Sequence, residues 1–378
     1  MSDPLRLDGH VDFPIDDDNA HFSIALARSG GINASVVTIQ AQPTRRGGDK
    51  TPVLAELERQ YANVTDYVER NADTVRLVYS PAELVEAKDE GKFAIILGYQ
   101  NVAPFDTAPG PEALDLWVDR GVRQFAFAFI GTNWWAESAR AYPFVSEHID
   151  YEGLSAQGIA AVKRLNERGV IVDVSQLSTR AVDATLDHSS APVLASHTGF
   201  RSIVDVPRNL TDDNVRRIAA GGGLLNVVAF ASYLGTRLPQ RRDEVIELWR
   251  EYGLTPPQTA ADFSTVNNPE TEFWDDDKFW TFLHRWHVIL DLDHPVQSVQ
   301  DLVTSIDRGV ELAGIDHIGI ASDFNHGGGV SDWINASQAN NVSQGLLDRG
   351  YSSDDLNKLW GGNYLKLWQA VTAVGTNN

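Results

Sequence analysis

Cysteine is absent from the 378 residues and methionine occurs once. Without a thiol there is no disulfide, no cysteine zinc site and no thiol nucleophile, so any metal must be held by His, Asp, Glu or amide oxygen. The same absence removes redox chemistry as a guide to the compartment. Basic residues are also scarce: 31 Lys and Arg stand against 52 Asp and Glu, a formal charge of −21. That excess repels phosphate backbones and anionic bilayers, and no nucleic-acid or membrane partner is expected. Long apolar runs are missing too. No segment approaches the ~20 apolar residues of a membrane span, and the start, MSDPLRLDGH, lacks a basic region followed by an apolar one. The expectation is a cytoplasmic protein; a secreted chain with its signal removed reads the same way.

What the chain does contain is a recurring unit. Short apolar, β-branched runs fall at 5–13, 32–40, 93–100, 122–129, 170–176, 192–197, 223–230 and 317–324. Helix-like stretches closed by glycine lie between them, as in GLSAQGIAAVKRLNERG. Near-continuous apolar strands alternating with helices indicate a parallel sheet covered on its outside, and eight units predict an α/β (β/α)8 TIM barrel. Residues 1–378 are expected to form this single domain. A ninth run, VRLVYS at 75–80, reads as an accessory strand. Residues 231–314 are too long for one barrel helix and carry Trp249, Phe273, Trp274, Phe279, Trp280, Phe282 and Trp286. They are expected to be extra helices inserted between strands 7 and 8 near the barrel mouth, as a packing subdomain or a lid over substrate. Segments 41–52 and 325–336 are polar, glycine-rich candidates for active-site loops.

The polar residues gather at the C-terminal ends of the runs, where barrel enzymes build their sites. His10 and Asp12 follow the first run, Gln100 and Asn101 the third, and Asn133 the fourth. Gln176 ends the fifth, His197 the sixth and Asp323 the eighth. A single strand-end histidine is more often a hydrogen-bonded structural residue. Six strands delivering polar groups to one rim fit mutual partnership or a metal better, because buried polar groups need partners. Residues i and i+2 of a strand share a side, so His10 and Asp12 can reach one ion together. Imidazole plus carboxylate suits zinc, which polarises a substrate oxygen or lowers the pKa of water to about 7.

DGHVDFP at 8–14, GVRQFAFAF at 121–129, GLSAQGIAAVKRLNERGVIVDVSQLS at 153–178, APVLASH at 191–197, PRNLTDD at 207–213, GIDHIGIASDF at 314–324 and GGNYLKLW at 361–368 resemble, in order and spacing, the membrane (renal) dipeptidases of the metal-dependent amidohydrolase group. The resemblance implies first-strand metal ligands at His10 and Asp12, a zinc histidine at His197, a carboxylate-binding arginine at Arg208 and a catalytic aspartate at Asp323. Three positions depart from the family. Its zinc-bridging glutamate aligns with Gln100, the histidine of its DLSH with Gln176, and its substrate-contacting histidine with Phe129. Two close divalent cations repel, and an amide at 100 removes the negative charge that offsets this. One zinc is therefore expected in preference to two, held by His10, Asp12, Asp323 and His197, with an empty site as the next alternative.

Gln100, Gln176, Asn133, Phe129, Trp134 and Arg208 are the candidate substrate contacts; Arg208 has the alternative of pairing with Asp205 or Asp212 on the surface. Trp134 and Trp135, directly after Asn133, are either packing residues or an aromatic wall pointing to a substrate unlike an ordinary dipeptide. His326 is either a replacement ligand or a solvated loop residue. His148, His188, His284, His287 and His294 read as structural or surface residues, and the glycine triplets lack a phosphate-loop context. The expected function is a zinc-dependent, dipeptidase-like hydrolase cleaving an amide or related bond in a small carboxylate-bearing substrate, by metal-activated water with Asp323 as proton acceptor and His197 either ligating the ion or stabilising the developing oxyanion. The alternatives are a mononuclear or metal-free barrel performing elimination, isomerisation or other cleavage on a non-peptide, and a barrel that binds a small molecule without turnover. A homo-oligomer is a further open expectation.

Overall fold

The apolar runs become parallel strands that begin on apolar residues, several of them ending on polar ones, among them Asp12, Gln40, Gln100 and Asp173. In the computed structural model, which describes residues 4–42, 49–105, 111–139, 151–235, 242–256, 274–290 and 296–376, the strands are β1 (Leu7–Asp12), β2 (Ala34–Gln40), β3 (Val75–Leu77), β4 (Phe93–Gln100), β5 (Val122–Ala126), β6 (Ile171–Asp173), β7 (Leu194–Thr198), β8 (Leu224–Val228) and β9 (Ile318–Ala321). They pair in the order β1-β2-β4-β5-β6-β7-β8-β9, with β3 added to β4 outside this path. The eight expected barrel strands are all present, and the ninth run is the accessory β3. Beyond the strand proper, Asp323 N donates to His10 O at 3.0 Å and Asp12 N to Phe324 O at 3.0 Å. Those bonds nearly close the ring at the end that carries the polar residues.

Local chemistry sets the helices that follow the strands. Ser155, Ser178 and Thr211 each cap a helix with the side-chain oxygen, starting Ala156–Glu167, Thr179–His188 and Asp212–Ala220. The first of these buries Ala161, Val162 and Leu165 against the barrel. It ends ahead of Gly169, whose φ of +64° only glycine adopts without strain.

The floor of the barrel is apolar. Leu7, Ala34, Ile171, Leu194 and Leu224, the first residues of five strands, cluster with Tyr364, Leu367, Trp368 and Val371 of the helix Asn363–Thr376. This helix seals the N-terminal end of the strands and leaves polar side chains the opposite end. Between β8 and β9 lie the helices Ala231–Leu234, Arg242–Glu251, Asp276–Leu290 and Val299–Ala313. The last covers the barrel through Leu302, Val303 and Ile306. The second and third share a separate core of Val245, Leu248, Trp249, Trp274, Phe279, Phe282 and Trp286, into which Phe129 and Ile130 insert. Phe273, His148 and His294 lie outside the described residues, as do 43–48 of the expected loop and 236–241, 257–273 and 291–295 of the expected insertion. Among the described residues no helix is long and apolar enough to cross a membrane.

Candidate active site

Alternation along β1 carries His10 and Asp12 inward at the polar end of the ring. Thr38 Oγ1 lies 3.3 Å from His10 Nδ1, leaving Nε2 directed at two carboxylates: Asp12 Oδ1 at 3.4 Å and Asp323 Oδ1 at 3.6 Å. The rings of His10 and His197 stack at 3.9 Å. His10, His197 and Asp323 each present a ligand atom within 4.8 Å of the others. Among the described residues nothing hydrogen-bonds Asp12 Oδ1 or Asp323 Oδ1, although both are buried. Buried carboxylate oxygens without a hydrogen bond are costly. A divalent cation between them would remove that cost, and a set of imidazole nitrogen and carboxylate oxygen suits zinc. The residues present therefore fit a metal.

Backbone strain marks the same rim. Asn101, Gln176, Asp323 and Asn325 have φ of 77°, 70°, 59° and 67°. Among the described residues these are all the non-glycine positions in the left-handed region, and all four follow strand ends. Such conformations persist where surrounding bonds over-determine them. Asn101 Nδ2 donates to Ala41 O, and Asn325 Nδ2 donates to Asp12 O, Pro14 O and Phe22 O.

The two acids are tuned in opposite directions. Burial disfavours the charge of Asp12, yet His326, whose Nδ1 is 2.8 Å from Oδ2, and His10 hold its carboxyl well below the usual range. Burial, reinforced by the charge of Asp12, pushes the Asp323 carboxyl up, against His10, His326 and Arg208. One site thus holds a firmly ionised carboxylate beside one that binds a proton more readily.

The structure brings most of the expected residues together. Arg208 is 3% exposed and donates from Nη2 to His197 O at 2.8 Å. Its guanidinium lies 5.4 Å from the Tyr233 ring. The Asp212 carboxylate binds Arg308 at 2.5 Å. Gln176 Nε2 lies 3.2 Å from His197 Nε2, and Ser196 Oγ lies 2.7 Å from His197 Nδ1. Gln100 Oε1 accepts from Gln40 Nε2 at 3.4 Å. Asn133 is turned into its own loop: Nδ2 donates to Phe127 O, while Oδ1 accepts from Trp135 N and Ala136 N. Trp134 packs partly buried against the main core, and Phe129 meets His326 edge-on at 5.1 Å.

Sequence reasoning missed Thr38, Gln40 and Ser196, which hold His10, Gln100 and His197 in place. Thr38 and Gln40 occupy alternate positions at the end of β2, the same signal that singled out His10 and Asp12. Asp173 went unremarked too. Its Oδ1 accepts from Ser175 N at 2.9 Å and Ser196 N at 3.0 Å, fixing the strand that bears His197.

Comparison with known proteins places this geometry in a group. The chain is 34% identical to the probable dipeptidase PvdM from Pseudomonas aeruginosa, whose crystal structure superposes with a TM-score of 0.90 over 98% of this chain and 96% of that one. Dipeptidase verJ of Clonostachys rogersoniana is 25% identical over 99% of this chain and 86% of its own length. Dipeptidase tcpJ of Claviceps purpurea is 24% identical over 82% of this chain, which spans 58% of that relative's length. The profile of the membrane dipeptidase family (peptidase family M19) matches residues 3–378. The chain belongs to the membrane dipeptidase family.

Proposed function

We propose that the protein is a metal-dependent hydrolase that cleaves an amide bond in a small, carboxylate-bearing substrate, with one zinc ion held by His10, Asp12, Asp323 and His197. The observation that carries this reading is the convergence of His10 Nε2 with two buried carboxylate oxygens that have no hydrogen bond among the described residues. When bound there, the ion supplies Lewis acidity and lowers the pKa of water. Arg208 holds the substrate carboxylate, for which a guanidinium fork is the matching donor. Asp323, its carboxyl pushed up by burial, takes the proton of the attacking water and returns it to the leaving amine. Firmly ionised Asp12 keeps its negative charge throughout. Gln100 Nε2 and Gln176 Oε1, which make no hydrogen bond among the described residues, face substrate polar groups.

A dipeptide panel assayed with and without zinc, beside metal analysis of the purified protein, tests the reading. About one ion per chain is expected, with hydrolysis abolished by chelation and restored by zinc. Protein without stoichiometric metal whose activity ignores chelation would overturn it. A second reading, a metal-free barrel acting on a non-peptide, is favoured by the Gln176 amide, which occupies His197 Nε2. It requires the dipeptide panel to be inert under every metal condition.

A further inference from the structure

The segment GGNYLKLW at 361–368 sends the Tyr364 hydroxyl into the apolar floor of the barrel, on a side chain that is buried among Leu194, Leu367 and Trp368. Phenylalanine would fill the same space. The hydroxyl is engaged, because it donates to Gln124 Oε1 at 3.1 Å, across 240 positions of sequence. Gln124 Nε2 donates in turn to Asp173 Oδ2 at 3.2 Å.

Asp173 carries the chain of bonds up to the rim. Its other oxygen, Oδ1, accepts from Ser175 N and Ser196 N. Both serines hold His197: Ser175 Oγ accepts from its backbone N at 3.1 Å, and Ser196 Oγ lies 2.7 Å from its Nδ1. Every member of this chain is at most 2% exposed, so bulk water does not compete for the bonds.

Packing alone does not call for these groups. Ile171 on β6 and Leu194 on β7 belong to the floor, and two residues further along the same side of those strands come Asp173 and Ser196. Barrel interiors are ordinarily filled by branched aliphatics, and a buried polar group stabilises no more than a well-packed apolar one of its volume. What a fully paired polar chain adds is a fixed geometry. We propose that Tyr364 and Gln124 are positioning residues for His197: Tyr364 orients the Gln124 amide, Gln124 holds the Asp173 carboxyl, and Asp173 sets the two serines that fix the imidazole. The inference rests on the metal-dependent reading above, in which His197 is a ligand, and extends the site from the rim to the helix Asn363–Thr376.

Two variants that keep the volume test it, Gln124→Met and Tyr364→Phe, with Trp368→Ala as a control on the same helix. Zinc affinity, read by competition with a chelator, should fall about 10-fold or more in Gln124→Met, as for other partners standing behind a metal ligand, and by a smaller factor in Tyr364→Phe. In the Gln124→Met background Tyr364→Phe should cost nothing further, because the hydroxyl acts through that amide. In metal-free protein labelled at histidine Cε1, the His197 NMR signal, identified by its loss in His197→Gln, should move in both variants. Trp368→Ala should lower the melting temperature and leave zinc affinity and that signal as in the native protein. Tyr364→Phe removes a single oxygen and carries both readouts should Gln124→Met not fold. The proposal is overturned if either variant keeps native zinc affinity, if the two losses add, if the His197 signal stays in place, or if Trp368→Ala moves it as far. Should the native protein bind no zinc, the metal-dependent reading fails and the signal alone decides: movement in both variants supports the positioning chain, and an unmoved signal overturns it.

Discussion

The side-chain amide nitrogen of Gln176 lies 3.2 Å from Nε2 of His197. An amide nitrogen donates, so this imidazole nitrogen accepts, and its proton sits on Nδ1 beside Ser196 Oγ, 2.7 Å away. The lone pair that His197 would offer a metal is thus already engaged. Gln176→Ala should tighten zinc about 5-fold, since a neutral hydrogen bond contributes ~1 kcal/mol. Titration against a competing chelator reads this, and an unchanged or weakened affinity would exclude the competition. Combining Gln176→His with Gln100→Glu should raise the count from about one ion per chain to two by mass spectrometry.

Asp323 should be indispensable to turnover. Positioned proton transfer contributes typically 10²–10⁴-fold, so Asp323→Asn should lower kcat by about that factor. The amide preserves size, and binding of a phosphinate mimic should fall far less than kcat. Equal losses of binding and turnover would give Asp323 a role in holding ligand or metal alone.

Arg208 should act on one end of the substrate. Replacing it with Met keeps much of the packing on Tyr233 and removes the charge. KM for a free-carboxylate substrate should rise about 10–100-fold, the range expected for a lost charged hydrogen bond. The corresponding C-terminal amide should be hydrolysed alike by both proteins. A parallel loss on both substrates would mean that Arg208 serves His197 through its bond to the backbone.

Stability should depend on the floor of the barrel. Trp368 is 1% exposed among the strand-start residues, and truncating a buried aromatic costs about 3–5 kcal/mol. Trp368→Ala should lower the thermal midpoint by several degrees while zinc affinity at 25 °C stays near native. A simultaneous collapse of zinc affinity would show that floor and rim unfold together.

The barrel was legible because its strands are nearly continuous apolar runs, a pattern that parallel sheets impose by burying both faces. The cluster of His10, Asp12, His197 and Asp323 was legible because strand-end position maps onto one rim. Arg208 was found through its local motif, whereas its burial beside His197 depends on the fold. Asn133 illustrates the limit. Its place after β5 resembles that of a substrate contact, yet its amide is spent within its own loop, a choice set by backbone geometry that no spacing encodes. Thr38 and Ser196 are short hydroxyl residues common in any strand, and only the register beside His10 and His197 gives them a role. His326 needed the positive φ values of Asp323 and Asn325, which turn the loop back over Asp12.

The junction between β1 and the segment after β9 also governs when the site comes into being. Asp323 N reaches His10 O, and Asp12 N reaches Phe324 O, so the candidate metal corner joins the first strand of the barrel to its last. Pairings so distant in sequence form slowly. During synthesis, residues 10 and 12 therefore wait for more than three hundred others to emerge before their carboxylate partner arrives. Under the proposed metal reading, the nascent chain until then presents only part of the ligand set, and the proposed activity requires the complete ring.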